Sequence, residues 1–508
     1  MYIMQNLGLI SFLTLFGPGM LFSWILIRIG ILIAQQVGIL DCPGGHKLHD
    51  QNTPFVGGIG VFAALITTLL IVRLFGADSS AEWLVLGIGA SAMFLTGLVD
   101  DIYHLNFKTR LLIQSFTALL MALGGGVVLS DLGLLDFGQK LQLGFLSIPI
   151  TLFATVGVIN ALNMIDGIDG LSGSVSLVSL YLISVIALSN GHWGYSALAL
   201  GMSGGVAGFL YYNMRYLRQY RARVFLGDNG SMVLGFLFAW FFISLSQEPN
   251  RTISPVTALW LYSIPLMDTV AVMSRRIWLG KSPFHPDRHH LHHLFIRAGF
   301  RIQDIVYAIT LIHLVIGAIG LYGLQSRVPE DWMLVAFLLL FVAYFYLIAR
   351  PWRFVPLLRI IHTRLGLTCS FTKGVYIGNC ALQSTQDLIT GITAEMIDRD
   401  DYQFNVYQMA RDGNRKPYIY AVLEVYSEDN ENTVDEIRRL TECFKRRFNG
   451  KSRISVRQFL SRNRQHDRRV GSKPLVREIR RNDRRENSHN ILIHSSHGKG
   501  TPAVGVLA

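Results

Sequence analysis

About eleven stretches of the chain are almost continuously apolar, and polar residues gather in the short segments between them. The stretches centre on residues 9–34, 55–75, 82–99, 110–130, 145–162, 172–190, 194–213, 230–247, 254–274, 302–324 and 331–349. Each matches the roughly 17–25 residues that carry a helix across hydrocarbon, so the pattern predicts a membrane helix in every one. Beyond Pro351 the pattern changes. Residues 371–458 alternate strand-like runs (GVYIG, FNVYQMA, YIYAVLEVY) with one amphipathic helix (TVDEIRRLTECFKRRF), the mark of a small α+β module. From 459 onward, runs such as RNRQHDRR and RRNDRRENSHN hold too few apolar residues to build a core and predict disorder. The expected fold is therefore an all-α polytopic membrane domain over 1–353, a cytoplasmic α+β module over 354–458 and a basic, disordered tail over 459–508.

Composition supports a membrane as solvent. The 508 residues are 51% hydrophobic and 16% charged, with a mean hydropathy of +0.37, more apolar surface than a soluble core of this length buries. The net charge of +12 is informative through its placement. Lys47; Lys108 and Arg110; Arg215, Arg218, Arg221 and Arg223; and Arg275, Arg276, Lys281 and Arg288 fall in loops on one side, against Lys140, Arg251 and Arg327 on the other. The basic loops are expected in the cytoplasm, the N-terminus outside and the tail inside. That excess cation suits anionic membrane lipid and predicts no nucleic-acid partner. Cys42, Cys369, Cys380 and Cys443 have neither CxxC nor zinc-ligand spacing, which argues against a disulfide framework or structural metal. MYIMQNLGLI opens without a cationic leader region, so the first apolar stretch is expected to be a retained span.

Four polar clusters intrude at the cytoplasmic ends of the apolar runs, where ionisable groups are expensive and tend to mark function. Asp100-Asp101 suits cation binding or general-base work, with Lys108 near enough to hold a phosphate, although for an isolated acid pair a solvated helix cap with a topology-setting lysine is the better account. In Asn160-Ala-Leu-Asn163-Met-Ile-Asp166-Gly-Ile-Asp169-Gly, Asn160, Asn163 and Asp166 would share one helical face, roughly 60° apart. Such a face offers the hard oxygen ligands that Mg²⁺ prefers. Gly227-Asp228-Asn229-Gly230-Ser231 brings one carboxylate into a tight loop whose N–H groups are free for a phosphate; Ser231 as a helix N-cap is the plainer alternative. Finally, His285-Pro-Asp287-Arg288-His289-His290-Leu-His292-His293 carries donors for pyrophosphate and sugar hydroxyls, and lacks the thiolates or HExxH pattern of a zinc site.

Taken in order, these motifs resemble the polyprenyl-phosphate N-acetylhexosamine-1-phosphate transferases. The resemblance runs from about residue 36 to 350 and is carried by LDCPGGHKLHDQNTPFVGGIGVF, LVDDIYHLNFKTR, INALNMIDGIDGLSG, RVFLGDNGSM, PVTALWLYSIPLMDTVAVMSRR and SPFHPDRHHLHHLFIRAGF. The last segment is most similar to the branch that uses UDP-N-acetylglucosamine and undecaprenyl phosphate, and separates it from the phospho-N-acetylmuramoyl-pentapeptide enzymes. The resemblance implies a bacterial inner-membrane enzyme dependent on Mg²⁺ or Mn²⁺, with a homodimer among its compatible assemblies. It places Asp100, Asp101, Asp166 and Asp169 in the catalytic centre and Asn163 and Asp228 at the metal. Lys47, Lys108, Asn160, Arg288, His290, His292 and His293 would bind substrate. His46-Lys47 stands where relatives often carry Arg-Lys, and nothing is implied for the tail. The rival class, a multi-span lipid or solute transporter, predicts polar residues at mid-membrane and two related halves, neither of which the sequence displays.

Overall fold

The computed structural model describes residues 12–37, 53–75, 81–135, 138–280 apart from 217, 218 and 220, residue 282, and 290–365 apart from 299. Further along it describes 373–380, 402–409, 418–425, 455–459, 490–497 and a few helical positions between 439 and 446. The chain forms two compact units, 1–361 and 362–508.

The first unit is helical, and every expected apolar stretch carries helix: α1 (Gly17–Val37), α2 (Gly57–Phe75), α3 (Ala81–Tyr103), α4 (Phe107–Gly125), α5 (Ser147–Ile165), α6 (Leu171–Ser189), α7 (Trp193–Asn213), α8 (Gly227–Ser244), α9 (Pro255–Leu261), α10 (Ser263–Trp278), α11 (Leu291–Ala298), α12 (Ile302–Gln325), α13 (Glu330–Ala349) and α14 (Pro351–Arg364). Among the described residues seven of these helices are long and apolar enough to cross a membrane, or eight if the bent pair α9–α10 is one span. The stretch 254–274, expected as one straight span, turns by 87° between α9 and α10. Pro265 supplies no N–H to the first turn of α10. A buried polar brace fills the gap: Ser179 Oγ donates to the Leu261 carbonyl at 2.8 Å, and His313 lies between Ser179 Oγ at 2.9 Å and Ser263 Oγ at 3.2 Å.

The core forms around α8, buried at every position from Asn229 to Ser244. A helix apolar on all sides has to be enclosed, and α8 packs against α2, α3 and α5, while α1, α2 and α6 surround α7. The α3–α8 approach needs Gly97, where a Cβ would fall 2.4 Å from the Asn229 backbone. Large side chains on the outer faces, among them Leu112, Phe116, Phe153, Leu311 and Leu339, are exposed, as suits surfaces solvated by lipid tails. The first unit is thus a multi-pass membrane bundle.

The second unit holds a five-stranded antiparallel sheet, β1 (Lys373–Cys380), β2 (Tyr402–Met409), β3 (Tyr418–Val425), β4 (Ser455–Phe459) and β5 (Asn490–His497), in the order β4-β1-β3-β2-β5. Val375 pairs with Leu423 and Gln458, and Asn405 with Val422 and Ser495. Strand β5 departs from the expected disorder of 459–508. Ile491-Leu492-Ile493 gives that polar tail one run with strand preference. The rest of the tail, and most of the expected amphipathic helix, lie outside the described residues.

Candidate active site

Helices α3, α5 and α8 and the loops after α5 and α7 carry their polar residues to one end of the bundle, around a cavity of about 460 Å³. Asp100, Asp101, Asn163, Asp166, Asp169, Asp228 and His293 all line it, with Arg215 and Asn213. Residues up to 193 positions apart in sequence are brought together because antiparallel neighbouring helices return their polar ends to the same side.

Each carboxylate is held differently. Asp100, 3% exposed, accepts from the Leu105 N–H and from Arg110 Nη1, both at 2.7 Å; Arg110 also lies 3.6 Å from Asp228. Asp101 accepts from the N–H groups of Asp228 (2.8 Å) and Asn229 (3.2 Å) and from the Asn229 amide. It caps α8 from across the bundle, satisfying donors that a helix start leaves open. Two expectations change as a result. The first N–H groups of α8 are occupied rather than free for phosphate, and Ser231 is not the N-cap, because the helix begins four residues earlier, at Gly227. Ser231 Oγ instead accepts from the Asn163 amide at 3.0 Å, and the same amide donates to Asp228 Oδ1.

Helix α5 ends at Ile165, and Asp166 follows with non-helical dihedrals, so the shared helical face of Asn160, Asn163 and Asp166 does not extend to Asp166. Asp166 accepts from Ser172 Oγ. Burial pushes its carboxyl up to about 6 against the pull of that hydroxyl, and the charges of Asp101 and Asp169 push the same way. Asp169 accepts from Arg215 Nε at 2.7 Å and the Ala222 N–H at 3.1 Å, pinning the loop before α8. Asn160 is not in the cavity; it donates to Gln114 of α4 at 2.7 Å and back to Val156 at 2.8 Å. Lys108 is exposed outside the cavity, and Lys47 and Arg288 lie outside the described residues.

Of His290, His292 and His293, only His293 lines the cavity; His104, just past the end of α3, lines it too and was not among the sequence candidates. His290 is 6% and His292 2% exposed. Burial holds the His292 ring down at about 3, with His293 and His290 adding and Asp268 opposing, so it is neutral. Arg110, which pairs with Asp100 and approaches Asp228, had looked in the sequence like one more topology-setting cation. Arg215 had the same disguise, and a cation ten residues from an acid pair was the only available hint.

Among the described residues no three His, Cys, Asp or Glu side chains form a ready-made metal cage. An ion such as Mg²⁺ dehydrates reluctantly and is usually held by one or two carboxylates together with substrate phosphates. Asp228 and Asn163, with oxygen donors on the cavity wall, fit such an ion. The surplus also favours one: five carboxylates line the cavity, with Arg215 among its lining residues and Arg110 beside it.

The fold and site are those of a multi-pass membrane protein with an acidic cavity at one end of its helical bundle, and the chain belongs to glycosyl transferase family 4, whose sequence profile matches residues 83–246. The chain is similar to the undecaprenyl-phosphate alpha-N-acetylglucosaminyl 1-phosphate transferase of Escherichia coli O157:H7, 37% identical over 346 residues, covering 68% of this chain and 93% of that protein. The enzyme of the same name from Salmonella typhi is 37% identical over 348 residues, again 68% and 93%. That of Haemophilus influenzae is 34% identical over 343 residues, 65% of this chain and 92% of its relative.

Proposed function

We propose that this protein transfers N-acetylglucosamine 1-phosphate from UDP-N-acetylglucosamine to undecaprenyl phosphate, giving undecaprenyl-diphospho-N-acetylglucosamine and UMP. The observation that carries the reading is the gathering of Asp100, Asp101, Asn163, Asp166 and Asp228 on one cavity at one end of a membrane bundle; the names of the relatives supply the sugar and the lipid. The bundle crosses a bacterial inner membrane eleven times, with α7 and α8 as crossings shielded by their neighbours and α4 as one more crossing that turns Leu112 and Phe116 outward, and the cavity faces the cytoplasm, where UDP-sugars are made.

A phosphate oxygen of the lipid attacks the β-phosphorus of the UDP-sugar; the new P–O bond forms as the bridging bond to UMP breaks, and UMP leaves with its charge. Both reactants are anionic, so their meeting depends on cations in a partly dry cleft. When bound at Asp228 and Asn163, Mg²⁺ or Mn²⁺ would neutralise phosphate charge in the transition state. Arg110 holds Asp100 and stands near Asp228, so it balances charge at the same point. Asp101 fixes the start of α8 and thereby the position of Asp228. Asp166 and Asp169 shape the loop where the nucleotide sits, and His293, which also lines the cavity, donates to the sugar phosphate.

The test is purified full-length protein with undecaprenyl phosphate, Mg²⁺ and a panel of UDP-sugars labelled in the sugar, scoring label in the lipid phase. UDP-N-acetylglucosamine should be the preferred donor, and chelation should abolish transfer until Mg²⁺ is restored. Lipid labelling from another UDP-sugar alone would replace the proposed substrate; labelling of the protein without lipid would replace direct displacement with a covalent route.

A further inference from the structure

The histidine helix is positioned from outside itself. Asp268 sits in α10 within the apolar run Pro-Leu-Met-Asp-Thr-Val-Ala-Val, 1% exposed, where a carboxylate without partners is strongly disfavoured. Three donors meet it. His290 Nδ1–H donates to Oδ2 at 2.8 Å, while the Leu291 N–H at 2.9 Å and the Tyr344 hydroxyl of α13 at 2.7 Å both donate to Oδ1. Leu291 is the first residue of α11, so Asp268 caps this short helix from a neighbouring one, as Asp101 caps α8.

From that anchor a file of rings leads to the cavity. The His290 and His292 rings stack at 5.7 Å and 9°, and His292 lies 4.3 Å from His293, which lines the cavity. Both ring nitrogens of His292 are buried without a hydrogen-bond partner. The ring packs against the Asp166–Asp169 loop, where a Cβ at Gly167 would meet its Nε2 at 2.8 Å. No polar contact of His292 holds this file, whereas His290 and the start of α11 are both held by Asp268.

We propose that Asp268 is the positioning residue of the histidine helix: by gripping His290 and the first N–H of α11 it sets His293 against the cavity and so fixes the donor's sugar phosphate. The proposal rests on the transferase reading above. In Asp268→Asn the amide oxygen can keep Leu291 and Tyr344, but the amide N–H replaces the acceptor of His290 Nδ1–H, which forces the other His290 tautomer and removes the carboxylate charge, so the grip is weakened with little change in volume.

Two measurements on the purified full-length protein test this. In transfer kinetics, Asp268→Asn should lower kcat/KM for UDP-N-acetylglucosamine about tenfold or more, with the KM for undecaprenyl phosphate held within about twofold. Combined with His293→Ala, it should lose no more than His293→Ala alone, because both changes remove the same contact. Tyr344→Phe deletes one donor of three and should give a smaller loss in the same direction, which keeps the test available should Asp268→Asn fail to fold. In amide hydrogen exchange, Asp268→Asn, or Tyr344→Phe in its place, should speed exchange across 291–298 and leave the first turn of α8 unchanged. Multiplicative losses in the double variant, equal effects on both substrates, or unchanged exchange over 291–298 would each overturn the proposal. Faster exchange in a protein whose wild type transfers nothing would instead sink the transferase reading and leave the anchoring of α11 standing.

Discussion

Both ends of the helical bundle bury carboxylates, yet they balance them in opposite ways. At the end away from the cavity, Asp131 accepts from Arg251 at 3.1 Å, Arg251 also pairs with Glu330 at 3.6 Å, and Glu330 accepts the Leu134 N–H at 2.8 Å. Gln247 ties the same loop through Ser130 and Asp131, and Glu82 accepts from Tyr195 and Ser244. Among the described residues of that end, Asp131 and Glu330 share the Arg251 guanidinium and Glu82 takes two hydroxyls. At the cavity end, Asp100, Asp101, Asp166, Asp169 and Asp228 face one space with Arg110 and Arg215 to balance them. The paired end stabilises the fold, and the cavity end concentrates negative charge, which under the proposed function a divalent ion and cationic groups relieve.

The comparison is most exposed to failure at Asp228. Asp228→Asn should cost about 10²–10³-fold in transfer, the scale of losing a main transition-state contact, and should leave the thermal midpoint equal or higher because a repelled charge is gone. A stability loss with retained activity would make the cavity end structural. Arg251→Ala is the converse. It strands Asp131 and Glu330, 7% and 18% exposed, and should cost about 2 kcal/mol in unfolding, with normal transfer per folded molecule.

Asp166 sharpens the contrast through pH. Its folded carboxyl is raised to about 6 from 3.8, so its contribution to stability is fully present below about 4 and is lost as pH rises through about 6. Asp166→Asn removes that dependence, and the midpoint of the variant relative to wild type, measured without metal, should be more favourable at pH 8 than at pH 5. The smallest effect belongs to Lys140, 3.5 Å from Glu248 with both side chains largely exposed; Lys140→Ala should change stability by less than about 0.5 kcal/mol.

What the sequence made legible follows from range. Apolar runs of spanning length are local signals, and each became helix. The acids were visible because Asp100-Asp101, Asp166 and Asp228 interrupt such runs near their ends. Roles set by distant partners were hidden. Asp101 reads like a free acid until α8, 127 residues on, places its N–H groups against it. Asp268 is one polar letter in an apolar run, and its partners lie 22 and 76 residues away. Asn160 shares a helix with Asn163 yet turns to Gln114, a choice made by packing rather than spacing. The 87° bend at Tyr262 likewise depends on Ser179 and His313 from other helices.

The most direct test of the surplus-charge account is UMP release by purified wild type and Asp228→Asn, each given UDP-N-acetylglucosamine, undecaprenyl phosphate and Mg²⁺. The account predicts one UMP per diphospholipid formed by the wild type and almost none from the variant at matched folded concentration. Equal release from both would contradict it.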